Sequence, residues 1–548
     1  MSANKTKTKY IFVTGGVVSG LGKGITAASL GKILKARGFS VNMQKCDPYL
    51  NTDAGTLNPA EHGEVFVTRD GAETDLDLGH YERFIDKELE RSSSTISGQI
   101  YSQVIANERK GLYLGKTVQI IPHVTSEIHR RIIEAGKKFD IHIVEIGGTV
   151  GDYEAMAFIE AIRQMKRLVG EENVLYAHLV FLPYLQASKE IKTKPAQNSV
   201  RDLREAGISP NVLFVRSDHP LNAEGLDKMS LYCDVTKEAI VGLETAETVY
   251  EVPLRMEETG IADYICKHLH LPKRKAKLAE WSHLVDKIKS VDKTVNIGVI
   301  AKYMNHEDTY MSIFESLRAA GWHHNIKVMI RWINAENVHY IEKELAEVQG
   351  ILVPGGFGSR GVEGKIAAAR FARKNNVPYL GICLGMQVAV IEFAREVLKT
   401  KAANSAEIDP NVAHPVVHIM PDQIGVDMGG TMRLGDYPTK LTKQSRAYLA
   451  YGTQNIVERH RHRYEFNNDY REVLQKNGLI ISGLSPDGTL VEIIELKNHP
   501  FFVASQFHPE FKSRPNRAHP LFRDFIGAAT HYSRSQTNSK TMYNKTAP

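Results

Sequence analysis

Two doubly wound α/β domains in series are the architecture this sequence predicts. Three observations carry that prediction. Short apolar runs alternate with helical patterns through roughly the first 270 residues, a lysine-rich stretch without strand patterns follows at 272–293, and a second alternating series starts at 295. Strands that alternate with helices pair in parallel and bury both faces of their sheet. A chain of 548 residues is long enough for two large domains or about three ordinary ones.

The elements follow in order. Residues 10–13 are an apolar strand that ends in Gly15-Gly16, and 25–37 read as a helix stopped by Gly38. Residues 40–44 are strand-like. Residues 117–124 read as a buried strand, with Thr125 as N-cap of the helix after it. Residues 140–146, 174–182 and 212–215 add three more strands. The second series runs through 295–300, 350–354, 378–382, 491–496 and 501–505. Residues 402–439 contain Gly and Pro with weak periodicity and give no clear element. The expected boundaries are 1–271 for the first domain, 272–293 for a linker with some helix, 294–532 for the second domain, and a polar, disordered tail over 533–548.

Composition excludes several classes. Hydrophobic residues make up 42 % and charged residues 24 % of the chain, which a disordered protein would not show. No apolar run reaches the length of a membrane-spanning helix, and the polar N-terminus has no signal-peptide pattern, so the expected compartment is the cytoplasm, with no membrane partner. Cys46, Cys233, Cys266 and Cys383 form no C-x-x-C pair, so zinc ribbons and dithiol redox sites are not expected. The net charge of +6 suggests nucleic acid at first sight. Yet Lys5, Lys7, Lys9, Lys273, Arg274, Lys275, Lys277, Arg534, Lys540 and Lys545 lie in three short stretches without acids. They exceed the whole surplus, so no folded face is left basic and no nucleic-acid partner is expected.

Two constellations carry chemistry. Gly15 to Gly24 follows the first strand and opens the first helix. Such a turn brings backbone N–H groups to phosphate oxygens, and Lys23 adds a point charge. The spacing departs from the usual phosphate loop: it is one residue long, and Gly24 stands where a magnesium-binding Ser or Thr is expected. Magnesium must then rest on carboxylates. Glu145, at the carboxyl end of a strand, is one source, and the group Glu73, Asp75 and Asp77 is another. Lys192-Thr193-Lys194-Pro195-Ala196-Gln197 pairs two lysines with a Pro-initiated helix and suits a second phosphate group or an exposed loop.

The other constellation is Gly381-Ile382-Cys383-Leu384-Gly385, a strand–turn–helix elbow with cysteine as the nucleophile. A helix N-terminus favours the thiolate. His508-Pro509-Glu510 supplies a base and a carboxylate that share one side if the segment is extended. The turn Pro354-Gly355-Gly356-Phe357-Gly358 can aim N–H groups at an oxyanion. These parts suit amide hydrolysis through a thioester. Arg459, Arg461 and Arg463 form either a nucleic-acid patch or the source of one arginine for a substrate carboxylate.

A phosphate-loop half joined to a G-x-C-x-G and His-Pro-Glu half resembles the CTP synthase family over roughly residues 10 to 530. The resemblance implies a dethiobiotin-synthetase-like amidoligase domain fused to a flavodoxin-like class I glutamine amidotransferase domain. It implies that ATP phosphorylates O4 of UTP and that ammonia from glutamine, channelled between the domains, displaces the phosphate to give CTP. Carried over residue by residue, Ser19, Gly20, Leu21, Gly22, Lys23, Gly24 and Ile25 cradle ATP, and Lys45 lies near the transferred phosphoryl group. Asp77 and Glu145 hold Mg2+, and Asp77 also belongs to the ATP site. Asp152, Tyr153 and Glu154 serve bound CTP, and Lys192, Thr193, Lys194, Pro195, Ala196, Gln197 and Lys228 contact UTP. Cys383, His508 and Glu510 are the triad, while Gly356, Leu384, Gly385, Met386, Gln387, Glu407 and Arg463 meet glutamine. Residues 358–364 resemble a lid that GTP, an allosteric activator, helps to order. CTP is implied as feedback inhibitor and a homotetramer as the active unit. The family lacks the Ser or Thr after Lys23, which removes the objection to the loop. The segment 421–429 is compact beside some relatives, a departure that bears on the lid and GTP and touches no triad residue. The alternative is another glutamine-dependent ATP amidoligase that acts on a carboxylate substrate.

Overall fold

The computed structural model describes residues 7–18, 20–302, 304, 307–426 and 429–545. It divides into two units. One comprises Met1–Ala54 and Asp77–Asp286, the other Gly55–Leu76 and Lys287–Pro548.

The first unit is built on seven parallel strands: β1 (Lys9–Gly15), β2 (Val41–Asp47), β3 (Ser94–Ile96), β4 (Ile141–Ile146), β5 (Val174–Phe181), β6 (Val212–Ser217) and β7 (Ile240–Glu244). Their order is β7-β6-β5-β1-β4-β2-β3. β1, β2 and β4 are buried almost end to end, as strands covered on both faces must be. Chain connections leave β1 and β4 toward opposite flanks of the sheet. A crevice therefore opens at their carboxyl ends, where such sheets bind ligands. Four helices of this unit carry candidate site residues: α1 (Lys23–Ala36), α2 (Asp77–Ile85), α3 (Lys194–Glu205) and α4 (Ala223–Cys233).

The sheet of the second unit has nine strands. They are β8 (Thr294–Ala301), β9 (Lys327–Asn334), β10 (Gly350–Val353), β11 (Tyr379–Ile382), β12 (Arg433–Leu441), β13 (Asn455–His462), β14 (Leu479–Leu484), β15 (Val491–Leu496) and β16 (Phe502–Ser505). The order is β9-β8-β10-β11-β16-β15-β14-β12-β13. The five strands from β9 to β16 run parallel; four of them were expected, and β9 was not. The rest pair antiparallel: β15 (Val491–Leu496), expected in the alternating series, is antiparallel to both its neighbours, and β12, β13 and β14 had no counterpart among the expected strands. Apolar clusters fill both faces of the sheet.

Several expectations need correction. Residues 117–124 form no strand: Ile120 and Ile121 are exposed, and Ile120–Val124 is a helical turn. Pro122 has no N–H to give a ladder, which argues against a central strand. The stretch expected as a partly helical linker does hold a helix, α5 (Ala279–Ser290), but it is no free connection: Trp281 is buried beside Tyr250 and Phe84 and donates to the Tyr250 carbonyl at 2.7 Å. The tail expected as disordered continues the helix Pro520–Lys545, and 546–548 lie outside the described residues. No Gly or Pro interrupts residues 528–545, so nothing local stops that helix. Residues 55–76, expected in the first domain, belong to the second unit.

Candidate active sites

In the first unit, β1 delivers the chain into the glycine turn. Gly20 and Gly22 take φ of +69° and +97°, values that suit glycine. Val17 also has positive φ (81°), which is costly for a β-branched residue. Lys23 is the first residue of α1, and its Nζ donates to the Gly148 carbonyl at 2.8 Å. Burial lowers its pKa. Ser19 lies outside the described residues.

Beside the turn, Lys45 of β2 donates to Asp77 and, at 2.9 Å, to Glu145. Tyr81 donates to the other Glu145 oxygen. Burial pushes the Glu145 carboxyl above its usual range, with Lys45 pulling it back. A Cβ on Gly24 would lie 1.9 Å from Asp77 Oδ1. The Asp77 carboxylate thus fills the space that a Ser or Thr would need at position 24. Two hard oxygen donors beside a glycine turn fit Mg2+, which takes one or two carboxylates and completes its shell with phosphate and water. The other acid source separates: Glu73 lies in the second unit, paired with Arg461 at 2.8 Å.

The nucleotide candidates are more open. Lys192 and Thr193 precede α3 and Gln197 lies in its first turn, Lys192 pairs with Glu190, and Lys228 of α4 pairs with Glu224 at 2.6 Å. Asp152 accepts the Thr149 N–H at 2.8 Å, and Tyr153 is 93 % exposed.

In the second unit, Cys383 joins β11 to α7 (Leu384–Val397), after α6 (Val362–Asn375). Its φ and ψ are 52° and −104°, a strained conformation for a residue with a side chain. Close packing imposes this. A Cβ on Gly381 would lie 2.7 Å from the Gly385 carbonyl oxygen, and one on Gly385 would lie 2.1 Å from that of Val353. His508 Nδ1 and Glu510 Oε1 are 2.7 Å apart. The segment is not extended, since Pro509–Lys512 is a 3₁₀ turn, but the pair forms nonetheless. Cys383 Cβ and His508 Nε2 lie 3.6 and 3.7 Å from the place where a Gly355 Cβ would be. Burial alone would lower the His508 pKa; the Glu510 carboxylate and the Cys383 sulfur push it up to about 10.

Around this group, Gly356 has φ of +153°, and Glu407 accepts the Gly358 N–H at 2.7 Å. Gln387 donates to the Tyr464 carbonyl at 3.0 Å, while its own amide oxygen is buried without a partner. Arg463 donates to Thr431 Oγ1 at 2.8 Å. The other two arginines hold the fold. Buried Arg459 donates to the Val67 carbonyl and Arg461 holds Glu73 and the Gly55 carbonyl, so the three form no nucleic-acid patch.

Two lysines escaped the sequence reading. Lys365 of α6 is 0 % exposed and donates to the Pro354 carbonyl at 3.1 Å, and Lys302 donates to the Phe357 carbonyl. Both hold the glycine turn from behind. A lone lysine next to the run Ile366 to Ala369 was the available signal. A cavity lies between this turn and residues 55–76, lined by Pro59, Glu64, Val65, Lys302, His508 and Glu510 among others.

The chain matches the family model "CTP synthase N-terminus" over residues 9–271 and the model "Glutamine amidotransferase class-I" over 306–528. It is 55 % identical to the CTP synthase of Bacillus pumilus over 96 % of this chain and 100 % of the relative. It is 56 % identical to the CTP synthase of Carboxydothermus hydrogenoformans, covering 95 % of this chain and 98 % of the relative. A solved structure described as "Trypanosoma brucei CTPS - glutaminase domain with bound acivicin" aligns with a TM-score of 0.42 at 40 % identity, over 43 % of this chain and 94 % of that one.

Proposed function

The chain belongs to the CTP synthase family, and on that ground we propose that it makes CTP from UTP, with ATP and the ammonia of glutamine. The observation that carries this reading is the presence in one chain of two separate reactive groups: Lys23, Lys45, Asp77 and Glu145 beside a phosphate turn, and Cys383, His508 and Glu510 at a nucleophile elbow.

In the glutaminase reaction, Cys383 attacks the side-chain amide of glutamine. His508 removes the thiol proton and passes it to the leaving nitrogen, and Glu510 orients the imidazole and steadies its charge. Backbone N–H groups at Gly356 and at the start of α7 face the developing oxyanion. The free Gln387 oxygen accepts from the substrate amide, and Arg463 and Glu407 take the carboxylate and ammonium ends. Water then hydrolyses the thioester to glutamate.

In the synthetase reaction, the glycine turn and Lys23 hold the ATP phosphates, and Lys45 stands by the group in transfer. Asp77 and Glu145 would hold Mg2+, which offsets phosphoryl charge when bound. O4 of UTP takes the γ-phosphoryl group and ADP leaves. Ammonia then attacks C4 and phosphate departs, giving CTP. The lysines of residues 192–194 and Lys228 bind the UTP triphosphate, and Asp152, Tyr153 and Glu154 serve bound CTP. The cavity beside His508 supports an exit path for ammonia within the protein. Ammonia shielded from bulk water stays unprotonated and nucleophilic.

The same reading includes GTP as activator, CTP as feedback inhibitor, a homotetramer and a cytoplasmic place of action; family membership alone supports these. No described helix is long and apolar enough to cross a membrane. The carboxylate-substrate alternative has no observation in its favour.

The test is CTP formation from UTP, ATP and Mg2+ with either glutamine or ammonium, for wild type and Cys383→Ala. Loss of only the glutamine reaction in the variant is the expected result. A wild type that makes no CTP from either nitrogen source overturns the reading.

A further inference from the structure

His178 is 0 % exposed at the centre of the first sheet and takes no part in either proposed reaction. It stands on β5 in register with Thr14 of β1. Its Nδ1 is 2.8 Å from Thr14 Oγ1, and its Nε2 is 2.8 Å from Ser199 Oγ. Thr14 is the last residue but one of β1, directly before the phosphate turn. Ser199 lies on α3, one and a half turns past the proposed UTP-binding start of that helix. The turn also rests on the serine: a Cβ at Gly16 would fall 1.7 Å from Ser199 Oγ and 3.4 Å from His178 Nε2.

We infer that Thr14, His178 and Ser199 form a positioning link that fixes the ATP turn against the UTP helix and so sets the phosphoryl donor at the reach of its acceptor. The inference rests on the synthetase reading. Burial, with Lys23 nearby, lowers the His178 pKa to about 3, so the ring is neutral at physiological pH. A neutral imidazole donates at one nitrogen and accepts at the other. It therefore satisfies both hydroxyls at once and ties two elements through groups of fixed length. Gly16 is part of the same device, since only a residue without Cβ lets the turn settle on Ser199. Phosphoryl transfer depends on positioning more than on covalent help from the protein, so a loosened turn should slow the chemical step before it weakens either nucleotide.

Ser199→Ala removes one hydroxyl and no carbon framework. His178→Gln keeps one amide near the Nε2 position and loses the bond to Thr14. For both, ammonia-dependent CTP formation is compared with wild type, together with glutamine hydrolysis, melting temperature, and the binding of UTP and of a non-hydrolysable ATP analogue measured singly and together. The expected result is a kcat lower by about tenfold, the worth of roughly one well-placed hydrogen bond. Glutamine hydrolysis and each nucleotide's separate affinity should hold, and any mutual tightening of the two nucleotides should shrink. Two results overturn the inference: kcat within about twofold of wild type in both variants, or a fall in kcat matched by equal losses of melting temperature and of separate nucleotide affinity, which marks a packing role only. If wild type itself makes no CTP from ammonia, the synthetase reading fails, and this inference fails with it.

Discussion

At the scale of single residues, charge and burial at the thiol site lead to opposite predictions for a histidine and a lysine. His508 is pushed up to about 10 in the folded chain, against an ordinary 6.5. A raised pKa means that its proton stabilises the fold. That stability is fully present below about pH 6.5 and is lost as pH rises through about 10. Glu510→Gln removes a principal support, so the melting-temperature gap between wild type and variant should be widest near pH 6 and close above pH 10. The same variant should lose on the order of 10²-fold in glutamine-dependent CTP formation and keep the ammonia-dependent rate. Lys365 goes the other way. Burial, with Lys302 adding to it, lowers its pKa to about 7. The penalty for its charge is full below about pH 7 and falls away as pH climbs toward the free value of 10.5. Lys365→Met should therefore raise the melting temperature most at low pH, with the gain shrinking from pH 7 upward. A Met variant that is less stable at pH 6 would show that the bond to the Pro354 carbonyl outweighs the buried charge. Cys383 was readable from sequence because its neighbours at two residues on either side are the glycines an elbow needs. Lys365 was not, because its burial depends on how α6 packs.

At the scale of elements, local rules were legible where partners are near in sequence and silent where they are not. The strands of the parallel sheets announced themselves by continuous apolar runs, as in β1, β4 and β11. β12 and β13 did not: charged residues interrupt both, Asp436 and Lys440 in one and Glu458, Arg459 and Arg461 in the other, and β12 joins the sheet through β14 further along the chain. Residues 117–124 misled because apolar content stood in for burial, whereas Ile120 and Ile121 face outward. The glycine turn after β1 shows how a motif rule can fail in detail. Taken alone, the pattern would recommend Gly24→Ser, which restores the missing hydroxyl. The structure predicts damage, since the new Cβ would lie 1.9 Å from Asp77 Oδ1 and drive that carboxylate from Lys45. Gly24→Ser should abolish CTP formation from either nitrogen source yet leave basal glutamine hydrolysis in place. Gly385→Ala should give the mirror image, because its Cβ would meet the Val353 carbonyl oxygen at 2.1 Å and spread the elbow. There the ammonia-dependent reaction should survive and the glutamine-dependent one should not. Both variants can be assayed for the two half-reactions side by side.

At the scale of the whole molecule, residues 55–76 are what sequence order hides. They fall in the middle of the stretch that matches the synthetase family model, yet they fold into the second unit. Their partners are 248 to 445 positions away: Glu64 accepts from the Ser312 backbone N–H at 2.8 Å and from its hydroxyl, Glu73 accepts from Arg461, and Phe66 meets Phe511 edge-on at 5.0 Å. Phe511 in turn stacks on the His508 ring at 5.2 Å. No local pattern reports contacts at that separation. In sequence, Leu76 is followed directly by Asp77, one of the two carboxylates proposed to hold Mg2+. Within the second unit the segment is thus tied through Phe66 and Phe511 to His508. Glu64 also lines the cavity beside His508 and Glu510. Glu64→Ala should loosen that wall while leaving Cys383, His508 and Glu510 untouched. Glutamine hydrolysis should continue, ammonia-dependent CTP formation should stay near wild type, and the glutamate formed per CTP should rise above the wild-type ratio as ammonia escapes. Measuring glutamate and CTP in the same reaction reads this out. An unchanged ratio would mean that Glu64 anchors the segment without sealing the path, and the retention of ammonia would then have to rest on the other residues around the cavity.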